Sequence, residues 1–273
     1  MPAIAVVTHR SRRWIERLIG GAVATAEQLE VPLIAVDNAS DDGTLELLQE
    51  LGRRSPSVEL VTLGRNLGYA AAVNAAFAAA ADRDVMVINP DVELLGPEPV
   101  TGLAGFLAER PDVGVVGPRL VGDDGEAQAS ARRFPTPAAV AASMTSAGRL
   151  GPLRSSRARY EAPSAASEPA SVDWVMGAAM LIRRRAYEAA RGWDAGYFLY
   201  VEDADFCRRV RRAGWDVVYH PGVELPHAYA RESSSAEASV VSSLARRRHF
   251  RSFARFWAKD PMALIGRSRA RAR

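Results

Sequence analysis

The chain has 273 residues, of which 48% are hydrophobic and 25% charged, the proportions of a folded protein long enough for a sizeable core. A single cysteine, Cys207, excludes an internal disulfide, and no run reaches the roughly 20 apolar residues that a bilayer-spanning helix needs. The net charge of +3 hides an asymmetry: residues 240–273 carry nine Arg and one Lys against Asp260 alone, leaving 25 basic and 31 acidic groups in the 239 residues before them. An acidic body with a basic tail suggests a tail that meets something anionic. The opening MPAIAVVTHR has too short an apolar run for a signal peptide, so the expected location is the cytoplasm.

The first 120 residues alternate between two periodicities. Ala3–Thr8 reads as a buried strand, and Arg13–Glu30 as a helix with Trp14, Ile15, Leu18, Ile19 and Val23 at helical spacing. Pro32–Asp37 is a second strand, followed by a helix from Asp41 to about Arg53 that Ser40 would cap. Val58–Leu63 is a third strand, Gly68–Ala81 an alanine-rich helix, and Asp84–Asn89 a fourth strand ended by Pro90. This alternation implies right-handed βαβ units on a mostly parallel sheet. The stretch Leu150–Ser171 lacks periodicity and reads as a mobile loop or lid. Beyond it, Val172–Arg183 is expected as one strand, Ala186–Ala190 as a short helix and Asp203–Ala213 as a longer one. Trp215–Tyr219 is a further strand, and the last helix runs from about Ala236 to Ala258.

Ligands of an open α/β sheet bind beyond the carboxyl ends of its strands. Four polar features fall at such ends: Thr8, the run Asp37-Asn38-Ala39-Ser40-Asp41-Asp42-Gly43-Thr44, the run Arg65-Asn66-Leu67-Gly68-Tyr69 with Asn74 following it, and Asn89-Pro90-Asp91-Val92-Glu93. A carboxylate there can accept hydrogen bonds from a base or ribose, or hold a hard divalent cation together with phosphate oxygens. Singly, each has a plainer explanation, since Asp37, Asn38 and Ser40 make an Asx turn and Gly68 a tight one. Turn chemistry does not explain all four at successive strand ends.

These segments resemble the nucleotide-binding half of the GT-A glycosyltransferases of family 2, through VVTHR, VDNASDDGT, RNLGYAAAVNAA and VMVINPDVEL. The resemblance continues through VDWVMGAAMLIRR, GWDAGYFLYVEDADFCRRVRRAGW and HPGVELPHAYARESS, in the order and spacing of a rhamnosyltransferase-like branch. It implies an α/β GT-A fold: a Rossmann-like, mostly parallel central sheet flanked by helices, with a nucleotide-sugar half at 1–120 and an acceptor and catalytic half at 121–235. A basic helix and tail would occupy 236–273. Thr8, Asp37 and Arg65 would hold the base and ribose, with Asn38, Asn66, Gly68, Asn74 and Asn89 also on the donor side. Asp91 would stand at the metal position, where Asn89-Pro90-Asp91 replaces the commoner Asp-x-Asp and leaves one carboxylate fewer. His227, 24 residues after Asp203, would supply a further ligand for Mg²⁺ or Mn²⁺.

The resemblance further implies an inverting, metal-dependent hexosyltransferase, with dTDP-L-rhamnose as the favoured donor. The acceptor would be a hydroxyl of a lipid-linked or polysaccharide sugar in cell-wall or polysaccharide synthesis. Displacing a nucleoside diphosphate needs charge neutralisation on the leaving group and a general base at the acceptor hydroxyl. Asp203 is the expected base, and Glu202 would orient the acceptor. Asp205 caps the helix or pairs with Arg208 or Arg209. Trp174 and Gly177 would line the acceptor side, while Tyr197, Phe198 and Tyr200 fit either that role or core packing.

The basic tail interleaves Arg246–Arg248 with Phe250, Phe253, Phe256 and Trp257. Such a helix suits an anionic membrane surface, placing the enzyme at the inner face of the cell membrane, or else it packs on the domain. Two rival functions share some of these features. A nucleic-acid-binding protein would use the tail but would leave the strand-end carboxylates unexplained, so no nucleic acid is expected as a partner. A nucleotidyltransferase would want a glycine-rich, lysine-bearing phosphate loop, and THRSRRW has neither residue.

Overall fold

The computed structural model describes residues 1–144, 151–228 and 238–265. Its chain order is β1 (Ala3–Thr8), α1 (Arg12–Leu29), β2 (Leu33–Asp37), α2 (Thr44–Arg54), β3 (Val58–Thr62), α3 (Tyr69–Ala79), β4 (Val85–Ile88), α4 (Glu98–Glu109) and β5 (Val113–Val121). Then follow β6 (Ala131–Arg132), α5 (Pro137–Met144), α6 (Gly151–Glu161), β7 (Ala170–Ser171), β8 (Trp174–Val175), β9 (Ala179–Ile182), α7 (Arg184–Ala189), α8 (Glu202–Arg212), β10 (Asp216–Pro226) and α9 (Ala238–Lys259).

Eight strands form one sheet in the order β3-β2-β1-β4-β9-β5-β10-β7. β3, β2, β1 and β4 run parallel, β10 runs parallel to β5, and β9 is inserted antiparallel between β4 and β5. The mostly parallel α/β expectation is met. Successive side chains of a strand point to opposite faces, and β1 shows what that achieves. Ala3, Ala5 and Val7 enter one core with α3 and α8, whereas Ile4 and Val6 enter a second core with α1 and α4. Both faces are covered, which is why this strand reads as an unbroken apolar run. The alanines of α3 let that helix sit close to the sheet, and Phe77, 1% exposed, fills the space they leave. Phe77→Ala would cost about 3–5 kcal/mol by the usual cavity penalty.

Three expectations need correction. Leu150–Ser171, read as a mobile loop, contains α6, a 3-10 turn at Ala162–Ala165 and β7. Its arginines hide the periodicity, but Tyr160 is buried against Trp174, and Ser164 exchanges hydrogen bonds with the Ala131 backbone. The single strand expected over Val172–Arg183 is two, β8 and β9, pairing in different sheets on either side of Gly177. The break lets Gly177 approach Tyr69 and Asp203, where a Cβ would meet Tyr69 Cε1 at 3.3 Å. The third correction concerns Ser40, which does not cap α2: its hydroxyl accepts from the Arg10 amide, and Asp42 instead holds the amide and hydroxyl of Thr44.

α9 settles the two readings of the basic helix towards packing. Phe253 and Phe256 are buried at 6% and 0% exposure, and the Trp257 indole donates to the Pro135 carbonyl. The aromatic stripe therefore faces the domain rather than a bilayer, and only Phe250 stays exposed. The side chains of Arg246–Arg248 and the tail beyond 265 lie outside the described residues. Among the described residues no helix is long and apolar enough to cross a membrane.

Candidate functional site

The carboxyl ends of β1, β2 and β3 carry a closed set of hydrogen bonds. Thr8 Oγ1 donates to the Val36 carbonyl at 3.1 Å and to Asp37 Oδ1 at 3.3 Å, while Asp37 Oδ2 takes the Ser40 amide at 3.0 Å. Asn38 Nδ2 donates to Asn66 Oδ1 at 3.1 Å and to the Gly68 carbonyl at 3.3 Å, and its Oδ1 receives the Leu67 amide. The donor-side residues Thr8, Asp37, Asn38 and Asn66 thus build one another's positions, and Arg65 lies exposed at their rim. Gly68, with φ +87°, is required where it stands: a Cβ would lie 2.4 Å from the Phe198 carbonyl oxygen, which accepts the Tyr69 amide. That contact joins the start of α3 to the turn before α8.

Asn74 does not join this set. Its Oδ1 accepts from the Trp193 amide and the Tyr187 hydroxyl, and its Nδ2 donates to the Trp193 carbonyl at 2.8 Å. With these bonds made, Asn74 clamps α3 to the turn before α8, and the structure does not bring it to Thr8, Asp37, Asn38 and Asn66. Trp174 is likewise placed in the wall rather than at the opening. It is 5% exposed, its indole N–H is bound to the Arg133 carbonyl, and Tyr160 and Arg132 lie against its ring. No sugar ring can stack on it in this conformation.

Asn89 and Asp91 follow β4, and the turn they make is stitched to the end of β10. The Glu93 amide donates to Pro226, the Ala228 amide donates to Asp91, and Val92 bridges His227. These backbone bonds, across some 130 residues of sequence, bring His227 Nε2 to 3.5 Å from Asp91 Oδ1. His227 is 2% exposed, and its Nδ1 lies 2.6 Å from Gln128 Oε1, while Gln128 Nε2 donates to the His227 carbonyl at 3.0 Å. That second bond fixes the amide orientation, so Oε1 faces the ring and Nδ1 carries the proton in the neutral imidazole. Nε2 is then the lone-pair nitrogen, turned towards Asp91. A carboxylate oxygen beside an imidazole nitrogen suits Mn²⁺ or Mg²⁺ as the first two ligands. Among the described residues no group of three His, Cys, Asp or Glu could hold a metal ion, so further ligands would come from substrate oxygens or water. Asn89 Oδ1 adds a buried acceptor with no hydrogen-bond partner in the same turn.

On the facing side, Tyr200 and Val201 both take left-handed backbone angles, φ +71° and +70°, before α8 begins. Each such residue costs about 1–3 kcal/mol, and surroundings that over-determine it hold it in place. Tyr200 stacks on His249 of α9 at 4.1 Å, and Val201 is buried. The result puts Glu202 and Asp203 in the first turn of α8. Asp203 Oδ2 accepts the Gly177 amide at 3.1 Å and Oδ1 the Ala204 amide at 2.8 Å. Glu202, 6% exposed, has a buried Oε2 with no partner. Burial, and then the charge of Asp203, push the Glu202 carboxyl well above the usual carboxylate range. Burial also raises Asp203, against the pull of its two backbone donors. The two carboxyls titrate as a pair: Glu202 is raised well above the usual range, while the Gly177 and Ala204 amides favour the charged form of Asp203.

Asp205 pairs with both arginines named for it, at 2.6 Å to Arg208 and 2.8 Å to Arg209. Tyr197 is core: it is 1% exposed and its hydroxyl donates to Asp205. Sequence reasoning missed the role of Tyr69. Its hydroxyl donates to the Gly177 carbonyl at 2.6 Å, and its pKa is pushed up by burial and then by the charges of Glu202, Asp203 and Asp91. Gly177 thus gathers Tyr69 and Asp203, and the Asn89 amide donates to the neighbouring Ala178 carbonyl at 2.8 Å, which brings the Asn89–Asp91 turn to the same place. The only sequence signal for Tyr69 was its position next to Gly68. Gln128 was missed as well, since nothing in its neighbourhood marks it.

The chain matches the glycosyltransferase like family 2 over residues 2–253. It is 32% identical over 255 residues to the N-acetylglucosaminyl-diphospho-decaprenol L-rhamnosyltransferase of Mycobacterium tuberculosis, covering 89% of this chain and 80% of that protein. Among solved structures it resembles the mannosyltransferase PcManGT from Pyrobaculum calidifontis in complex with GDP-Man and Mn²⁺, with a TM-score of 0.58 and 17% identity. It also resembles GalNAc-T7 with UDP, GalNAc and Mn²⁺, with a TM-score of 0.63 and 14% identity. Those two likenesses cover 85% and 84% of this chain but only 58% and 43% of the solved chains, and at such identity they speak for the fold alone.

Proposed function

The chain belongs to the family 2 glycosyltransferases, and from that premise we propose that it moves L-rhamnose from dTDP-L-rhamnose, with inversion, to a hydroxyl of a polyprenyl-diphosphate-linked sugar. The observation that carries the reading is the meeting at Gly177 and Ala178 of the Asn89–Asp91 turn with Tyr69 and Asp203. Donor and acceptor chemistry need a metal-side turn and a base to come together. The choice of rhamnose and of a lipid-diphosphate acceptor is supported by the mycobacterial relative, whose name specifies both.

Each step falls to a named group. The strand-end set of Thr8, Asp37 and Arg65 receives the base and ribose, held rigid by the bonds that Asn38 makes to the Asn66 loop. Asp91 and His227 would hold Mg²⁺ or Mn²⁺, with Gln128 keeping the His227 lone pair turned inward. When bound, the ion supplies positive charge to the departing diphosphate. Asp203 takes the proton from the attacking hydroxyl. Its carboxyl, raised by burial, is a stronger base than an exposed aspartate. Glu202, protonated and without a protein partner at Oε2, orients an acceptor oxygen. One carboxylate placed to deprotonate the acceptor suits direct displacement and hence inversion.

A thermal-shift panel of nucleoside diphosphates, each with Mn²⁺ and with a chelator, tests the reading. Stabilisation by thymidine diphosphate in Mn²⁺, lost in the chelator, is the expected result. A response to no nucleotide overturns the transferase assignment, and a response to another base alone overturns the donor.

A further inference from the structure

Near Asp203 lies a half-buried cation, Arg132, that no described carboxylate pairs with. Arg132 ends β6 opposite Trp174 of β8, and its guanidinium sits 5.5 Å from the Tyr160 ring centroid and 5.3 Å from that of Trp174. Its charge acts on the Asp203 carboxyl, the Tyr160 hydroxyl and the His249 imidazole, so four elements converge on it. Its Nε is buried and has no hydrogen-bond partner, and among the described residues it forms no ion pair. Other half-buried or buried arginines of the domain are matched. Arg208 and Arg209 pair with Asp205, Arg211 with Asp216 and Arg119 with Glu224, while Arg183 and Arg184 bind backbone carbonyls.

A guanidinium clamped between aromatic faces presents its donors in a fixed direction, and a planar fork of donors fits phosphate oxygens. Asp203 feels the charge of Arg132 but forms no ion pair with it, its two oxygens being taken by the Gly177 and Ala204 amides. Among the described residues no carboxylate pairs with Arg132, so the anion of a ligand fits there. It comes with the acceptor rather than the donor, because the neighbours of Arg132 are Tyr160, Trp174, His249 and Asp203, none of which belongs to the strand-end donor set.

We propose that Arg132 is a diphosphate-binding site for the acceptor, gripping the lipid-linked diphosphate so that the sugar hydroxyl is delivered to Asp203. The inference rests on the acceptor class proposed above. A direct probe is a short prenyl diphosphate lacking the sugar, titrated calorimetrically in a chelator so that any metal-dependent diphosphate binding is silent. Wild type binds it, Arg132→Gln weakens binding about 10- to 100-fold, the loss expected for a charge-assisted hydrogen bond, and Arg132→Lys recovers part. Binding of thymidine diphosphate with Mn²⁺ is unchanged in Arg132→Gln, which also shows that the variant is folded. In turnover, Arg132→Gln raises KM for the prenyl-diphosphate-linked sugar by a similar factor, with kcat within about threefold and KM for an uncharged alkyl glycoside unmoved.

Equal prenyl-diphosphate binding by wild type and Arg132→Gln overturns the proposal. So does loss of thymidine diphosphate binding, which moves the arginine to the donor, or a kcat loss shared by both acceptors, which makes it an adjunct of Asp203. If wild type transfers to neither acceptor, the proposed function fails, while the calorimetric comparison still decides the role of Arg132.

Discussion

The two walls of the cleft differ in how far their side chains satisfy one another. On the donor wall, Thr8, Asp37, Asn38 and Asn66 satisfy one another through their side chains, while Asn89 Oδ1 after β4 is buried without a partner and Ala39 takes φ +58°. On the acceptor wall, Glu202 Oε2 and Arg132 Nε are buried with no protein partner, and the backbone at Tyr200 and Val201 is strained. A buried polar atom without a partner costs about 1–3 kcal/mol, so this wall is less stable than the fold could make it. The difference teaches where selectivity for transfer resides. Under the proposed function, the hydrogen-bonded strand-end set would recognise the donor mostly by shape, and Glu202 and Arg132 would offer hydrogen-bonding capacity that the acceptor completes.

The sharpest way to test this division is Asp203→Asn. Loss of the base lowers kcat by about 10²- to 10⁴-fold, while thymidine diphosphate affinity in Mn²⁺, set by the other wall, stays within a few-fold. Single-turnover transfer and calorimetry on the same preparation measure both. Comparable losses in both quantities would merge the two walls into one.

Arg208→Ala tests what holds the acceptor wall together. Arg208 and Asp205 are 1% and 0% exposed, and Arg208 also donates to the Phe256 carbonyl of α9. Removing one partner of a buried pair costs about 3–5 kcal/mol, read as a lower urea midpoint. If the α8–α9 clamp positions Asp203, the surviving folded fraction also shows a lowered kcat with nucleotide affinity intact.

Gln128→Leu probes the join between the walls. Without Gln128 the His227 ring loses the bond that fixes its tautomer, and Mn²⁺ affinity falls about 10- to 100-fold, as electron paramagnetic resonance titration would record. Gln128→Glu keeps an acceptor at Nδ1 and retains most of the affinity. Equal affinity in Gln128→Leu and wild type would remove His227 from the metal site.

The donor wall was largely legible in the sequence, because β1 to β4 are apolar runs buried on both faces, each ending in a polar turn. The elements of Glu98–Val121 were not, since Gly and Pro interrupt β5 and its partner strands arrive from residues far along the chain. Asn74 was misassigned for a related reason: closeness to Arg65-Asn66 in sequence says nothing of which helix face it occupies, and that face meets Trp193. Asp203 and His227 were named through the family resemblance, which points to none of the residues that pack around them. Gln128 reaches a residue 99 positions away, and Arg132 acquires its meaning from a missing partner, which no local pattern can encode.

The smallest effect separates stability from function most cleanly. Glu202 has a folded-state pKa raised above its ordinary value of 4.5 by burial and by Asp203. A raised carboxyl binds its proton more tightly when folded, so its favourable contribution is present below that ordinary value and is lost as the pH rises towards the folded one. Wild-type stability, followed by urea denaturation from pH 4 upward, therefore declines through this window. Glu202→Gln carries a permanently neutral group of the same shape, so its stability should fall less over the same range and exceed that of wild type at the upper end. The same substitution replaces the O–H donor by a longer and weaker N–H donor to the acceptor oxygen, so turnover falls a few-fold even as the fold gains. A variant that is both more stable and slower is the signature of a group held at the fold's expense for the substrate. If Glu202→Gln destabilised the protein at every pH, Glu202 would be a structural residue, and the contrast between the two walls would narrow to Arg132 alone.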